Sequence, residues 1–206
     1  MESVSNAPSV TATRPEGFAR RAVLLSTIIV SVGTLSIAAI NFAPKLFTEL
    51  GYRADYVGIL AGLWMLGSAV GGVLGGMLAD RWNGRIVILV AAAASILPVY
   101  FYIPAENGQA LMLMAAGFFV GMPHSILIIM AQSLLPGRRA LASGVALGFM
   151  FFSGSVGSYA VGVVADRVGL ATALQFTAVL PLIAIVATLL LPREREVVAI
   201  HPLAKL

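Results

Sequence analysis

The sequence predicts an all-α membrane protein of six transmembrane helices, arranged as a 3+3 inverted repeat. Three observations carry this. Only 11% of the residues are charged and 59% are hydrophobic, whereas a soluble domain carries about 25% charged residues, so most of the chain has no water to face. Six stretches are long and apolar enough to cross a bilayer, which takes roughly 20 residues of helix. An Ala-Asp-Arg block closes two of these stretches, three crossings apart.

In order, the stretches run over Ala22–Phe42, Tyr56–Ala79, Ile86–Ile103, Ala110–Leu134, Ala140–Ala165 and Ala171–Leu191. Backbone amides in lipid must be satisfied within the segment, so stretches of this length read as helices. The short alternating segments of a membrane barrel are absent. The first stretch is longer than a signal-peptide core of about 7–15 residues, and its leader carries Glu2 and Glu16. Residues 1–20, rich in Ser, Thr, Pro and Ala, read as a disordered cytoplasmic tail. Residues 21–192 read as one transmembrane domain of short loops, and 193–206 as a short charged cytoplasmic tail.

The excess of basic residues reports topology rather than nucleic-acid binding. With the N-terminus in the cytoplasm, Arg14, Arg20, Arg21, Arg81, Arg85, Arg138, Arg139, Arg193, Arg195 and Lys205 lie inside. Only Lys45, Arg53 and Arg167 lie outside, as the positive-inside rule requires. Both termini are then cytoplasmic. The chain has no cysteine, which excludes disulfides, thiolate metal sites and cysteine catalysis, and also suits it to single-cysteine labelling. A cysteine at Glu106 is expected to react with a membrane-impermeant reagent from outside; reaction only from inside would invert the map.

The repeat pairs Gly76-Met-Leu-Ala-Asp80-Arg81-Trp-Asn-Gly84 with Gly162-Val-Val-Ala-Asp166-Arg167-Val-Gly169, the Asp residues lying 86 positions apart. The third and sixth helices each carry a central proline, Pro98 and Pro181. The first and fourth end in Asn41-Phe-Ala-Pro44 and Gln132-Ser-Leu-Leu-Pro136. Three crossings separate each pair, and three is odd, so paired elements point in opposite directions. Inverted repeats of this kind are a mark of secondary transporters.

Two further patterns nominate candidate residues. The second helix carries Gly67, Gly71 and Gly75, and the fifth carries Gly144, Gly148, Ser155, Ser158 and Gly162 on one face. Small faces let helix backbones approach closely in lipid, either as static packing or as interfaces that slide. Polar residues inside a span face the bundle interior or a cavity. Thr27, Ser31, Thr34 and Asn41 form one stripe on the first helix. Ser125 and Gln132 share a face of the fourth, with His124 at its margin. Together they suggest one shared cavity wall. Hydroxyls also bond their own helix, Asn41 also serves as a helix cap, and Gln132 also suits a structural hydrogen bond. His124 is the one embedded histidine, a ligand or proton contact or a packing residue. No Asp, Glu, Lys or Arg falls mid-span, so His124 alone offers a proton carrier.

The stretch Gly76-Met-Leu-Ala-Asp80-Arg81-Trp-Asn-Gly84-Arg85 resembles the signature of the major facilitator superfamily between the second and third helices of each half, with one extra residue before Gly84. Ala131-Gln132-Ser-Leu-Leu-Pro136-Gly-Arg, followed by Ala142-Ser143-Gly144-Val-Ala-Leu-Gly148-Phe, resembles the carboxy-terminal half of fosmidomycin-resistance-type efflux proteins. The resemblance spans nearly all of residues 22–192. It implies half of a major facilitator fold, and proton-coupled export of a small molecule through a cavity shared with a second six-helix half. It further implies that the first and fourth helices line the cavity, the second and fifth pack between halves, and the third and sixth face outward. The loop Gly76, Asp80, Arg81, Gly84 and Arg85 would gate the conformational change, with Asp80 near a helix N-terminus of the other half.

The expected partners are membrane lipid, a small-molecule substrate with protons, and a second half, either another copy or a separate chain. No cofactor, metal or nucleic acid is expected, and the membrane is expected to be the bacterial plasma (inner) membrane. A truncated or duplicated product that only binds or modulates a relative is the other reading. A rhomboid-like protease is not: Ser153-Gly154 follows Phe151-Phe152 instead of Gly-x, and His201 in the tail is the only later histidine. Cysteines at Gly71 or Gly148 are expected to crosslink between halves, and one at Ala92 is not.

Overall fold

A computed structural model describes residues 17–104, 108–135 and 137–191. Most of the expected tails, Glu106 and Pro136 lie outside the described residues. Among the described residues six helices are long and apolar enough to cross a membrane: α1 Phe18–Glu49, α2 Ala54–Arg81, α3 Gly84–Phe101, α4 Gln109–Leu134, α5 Arg139–Val168 and α6 Leu170–Leu190. The chain is an integral membrane protein built as half of the expected fold.

α1 starts three residues inside the expected tail and runs seven beyond Phe42, the expected end. Pro44 lies inside it without stopping it. One proline removes a single backbone donor, and in a membrane bundle neighbouring helices compensate. Here Ala43, Leu46 and Phe47, around and beyond the proline, are buried against those neighbours. The helix ends at Gly51, whose φ of 84° lets the Tyr52 amide return to the Phe47 carbonyl at 3.1 Å, a left-handed stop that glycine adopts without strain.

The other punctuation follows the sequence more closely. Asn83 caps α3, its side chain accepting from the Arg85 amide at 2.9 Å. α4 is interrupted at Met122, between Gln109–Gly121 and Pro123–Leu134. α6 is interrupted at Thr177–Ala178, between Leu170–Phe176 and Val179–Leu190. The second break lies one turn ahead of Pro181, where the proline has no N–H to continue the ladder.

α1 is the central helix. Ser31 to Ser36 are buried without interruption, because α5, α6, α2 and α4 all pack against it. Of its apolar window 61% is buried, against 28% for α2 and for α5, so those two are the least covered helices. The tightest packing follows the repeat crosswise: α1 lies along α5, and α4 lies along α2. Adding three to each member of one pair, cyclically, generates the other. That is the contact pattern of two interlocked three-helix units.

Glycine makes both contacts possible. A Cβ on Gly67, Gly71 or Gly75 would strike the backbone of Met114, Phe118 or Met122. One on Gly117 or Gly121 would strike that of Trp64 or Ser68. Across the other pair, a Cβ on Gly33 would lie 2.7 Å from the Met150 carbonyl oxygen, one on Gly154 would lie 2.7 Å from that of Gly33, and one on Gly157 would meet Thr34 Oγ1. Gly71 and Gly157 are 86 residues apart, the same offset as the Ala-Asp-Arg blocks.

Candidate functional site

The expected single polar wall is not formed, and the reason is visible at each residue. Thr27 Oγ1 donates to the Val23 carbonyl at 3.0 Å, and Ser31 Oγ to the Thr27 carbonyl at 2.9 Å. Thr34 is buried against Gly157 of α5. Asn41 Nδ2 donates to Ser158 Oγ at 3.3 Å, Ser125 Oγ to the Gly72 carbonyl at 3.1 Å, and Gln132 Nε2 to Ser143 Oγ at 2.8 Å. These last three bonds tie α1 to α5, α4 to α2 and α4 to α5. A polar side chain in lipid takes the nearest protein partner, and here that partner is a neighbouring helix rather than a cavity.

His124 differs from the other six. It borders a cavity of about 330 Å³ between α1, α2, α4 and α5, together with Ser36, Trp64, Ser68, Met150 and Phe151. Its Nδ1 lies 3.1 Å from both the Val120 and Gly121 carbonyl oxygens. Carbonyls only accept, so Nδ1 carries the hydrogen and Nε2 is the ring's free acceptor. A helical side chain leans back over the preceding turn, which places the ring over these two carbonyls, just after Pro123 restarts α4. Ser36, Ser68 and Trp64 were not identified from the sequence. Ser36 falls off the Thr27–Asn41 stripe, and Ser68 and Trp64 sit on a helix read only for its glycines.

The expected glycine faces also divide. Gly67, Gly71 and Gly75 are filled inside the chain by α4, and Gly162 approaches Phe42, so none of these is a bare surface. Gly144 and Gly148 meet nothing within 4 Å, and neither do Gly58 and Gly62 on α2. The two open pairs are each four residues apart and are related by 86 positions. Gly154 and Gly157, which carry the α1–α5 contact, lie beside the stripe read from the sequence rather than on it.

The loop after α2 is built from specific contacts. A Cβ on Gly84 would lie 2.9 Å from Ile126 Cγ2 of α4, and Gly76 lies beside Ser125. Arg85 donates to the Leu189 carbonyl at 2.6 Å, and Arg20 to that of Leu190 at 3.2 Å. Two guanidinium groups thus satisfy the free carbonyls ending α6, where the helix dipole favours cations. Asp80 and Arg81 are exposed. Asp80 also borders a cavity of about 220 Å³ with Asn83, Arg85 and Ser133.

Six apolar spans, a crosswise-packed inverted repeat and a cavity lined by both crosswise pairs define half of a membrane transporter fold. The chain belongs to the Major Facilitator Superfamily, whose model matches residues 23–205. It is 34% identical over 139 residues to the uncharacterized MFS-type transporter YfnC of Bacillus subtilis (65% of this chain, 33% of the relative). It is 29% identical over 130 residues to the fosmidomycin resistance protein of Escherichia coli (62% and 32%). It is 30% identical over 202 residues to the enterobactin exporter EntS of Shigella dysenteriae (90% and 47%). The chain thus spans about a third to a half of these relatives' lengths. No solved structure matches it. The superfamily comprises transporters of small molecules rather than enzymes.

Proposed function

We propose that this chain is one half of a secondary active transporter that exports a small molecule in exchange for protons, with a second six-helix half closing the cavity. The observation that carries the reading is the cavity beside His124. It is bounded by α1, α2, α4 and α5, the four helices of the two crosswise contacts, so exchanging the conformations of the repeats would change access to it. The relatives support export, since one is named for fosmidomycin resistance and another as an exporter of enterobactin. The second half is either another copy or a separate chain. The membrane is the bacterial plasma membrane, with both termini cytoplasmic. Asp80, exposed at the end of α2, would dock near a helix N-terminus of the other half in one of the two states.

His124 is the coupling candidate, because no Asp, Glu, Lys or Arg borders the cavity. Its free Nε2 lone pair can take a proton while Nδ1 stays bound to the helix. His124→Ala is expected to reduce proton-driven transport by about tenfold or more, the scale on which a positioned proton carrier acts, with insertion and monodispersity unchanged. Transport equal to the parent's would reduce His124 to a packing residue. The second reading is a membrane subunit that binds or modulates a relative. It predicts co-purification with such a relative and no transport by the assembled chain alone.

A further inference from the structure

Resting on the transporter reading, we infer that the part of the substrate held against this half is an uncharged aromatic group bearing one hydrogen-bonding substituent, which binds Ser36. The cavity supplies the argument. Its polar side chains are Ser36, Ser68 and His124, and apart from the Trp64 indole N–H the rest of its lining is apolar. At about 330 Å³ it lies near the lower end of the roughly 300–1,000 Å³ usual for ligand clefts, room for one or two rings. Trp64 and Phe151 give it flat faces, and Met150 a polarisable sulfur suited to a ring edge.

Charge is absent, and it is absent for a reason. Arg20 and Arg85 bind the end of α6, Arg53 pairs with Asp55, and Lys45 with Glu49. All lie at helix ends. With His124 neutral, a charged group in this cavity would leave water without a counter-charge, which costs heavily in a low-dielectric site.

Ser36 supplies the direction. Thr27, Ser31, Thr48, Ser143, Ser155 and Thr188 each donate to the carbonyl four residues earlier, the usual resting bond of a hydroxyl in a helix. The Ser36 hydroxyl is buried and has no partner, on a residue that lines the cavity. A hydroxyl left unpaired at the edge of a cavity is a binding group for what enters it.

The test is an equilibrium binding experiment on the full chain in lipid nanodiscs at pH 7. Trp64 borders the cavity and Trp82 is exposed, so Trp82→Phe leaves Trp64 as the reporter, quenched by a bound bromine. The probes share one ring: 4-bromophenol, bromobenzene, 4-bromobenzoate and 4-bromobenzylammonium. Bromophenol is expected to quench saturably and more tightly than the others. Ser36→Ala is expected to cut its advantage over bromobenzene by about tenfold, one hydrogen bond's worth. Ala69→Phe, at an exposed position on the cavity rim, is expected to abolish saturable quenching without disturbing the core. Tighter quenching by either ion, an unchanged ratio in Ser36→Ala, or no saturable quenching by bromophenol would each overturn the inference. No gradient is involved, so a chain that binds bromophenol but transports nothing refutes the transporter reading alone. One that transports an anion without this preference refutes the inference alone.

Discussion

Gly71→Leu is expected to abolish the folded bundle, whereas Gly62→Leu, nine residues earlier on the same helix, is expected to leave it intact. The difference lies in what each glycine faces. A Cβ at Gly71 would fall onto the Phe118 carbonyl of α4, while one at Gly62 meets nothing. The contact is also reciprocal, since Gly117 and Gly121 press on the backbones of Trp64 and Ser68. α4 therefore cannot shift aside to admit a side chain without losing those two approaches as well. Overpacking a well-filled interior costs about 1–3 kcal/mol, and more where backbone rather than side chain must move. In lipid no hydrophobic drive pulls separated helices back together, so the loss of close packing is not offset. Size-exclusion profiles after a heating series would read the result. A Gly71→Leu protein as heat-resistant as its parent would mean that α2 and α4 do not meet at these glycines.

The glycines also mark how far the sequence could be read. Span number and the inverted relation of Asp80 to Asp166 were legible, because twenty apolar residues and a charged stop need no tertiary information. Where a polar or small residue points was not. An i, i+4, i+7 stripe identifies a face but not its neighbour. Thr34 and Asn41 share a stripe, and α5 takes both, one beside Gly157 and the other through Ser158. Ser36 lies off that stripe and borders the cavity instead. On α1 the usual logic fails altogether, because a central helix is covered on every side from Ser31 to Ser36. Pro44 misled for a related cause. Its stop signal is a local property, and the burial of Phe47 beyond it is not. His124 stood out in the sequence as the one embedded histidine, and it borders the cavity.

No transport is expected from vesicles that hold single copies of this chain, and transport is expected to return when a second six-helix half is present. The reasoning starts from surface. α2 and α5 bury the smallest share of their spans, and both carry glycine pairs facing open space, Gly58 with Gly62 and Gly144 with Gly148. Helix faces of this kind gain little from lipid and much from another helix. The cavity beside His124 is lined by these two helices together with α1 and α4, and its lining residues Met65 on α2 and Phe151 on α5 are exposed. A substrate there would stay in contact with the bilayer in every conformation, so no barrier would separate one side of the membrane from the other. In the proposed assembly a second half would cover α2 and α5 and supply the missing wall. Cysteines at Gly62 and Gly148 are therefore expected to crosslink to it. Gly71 no longer serves, because α4 occupies that face, and Ala92 no longer serves as the lipid-facing control, because it lies in the core at 6% exposure. Val90, exposed on α3, takes its place and is expected to stay unlinked. Crosslinks between identical chains at Gly148 would assign the second half to another copy. Crosslinks only to a different six-helix protein would assign it to a separate chain. Gradient-driven uptake by vesicles loaded below one copy each would defeat the two-half mechanism outright, since six helices would then have formed both walls alone.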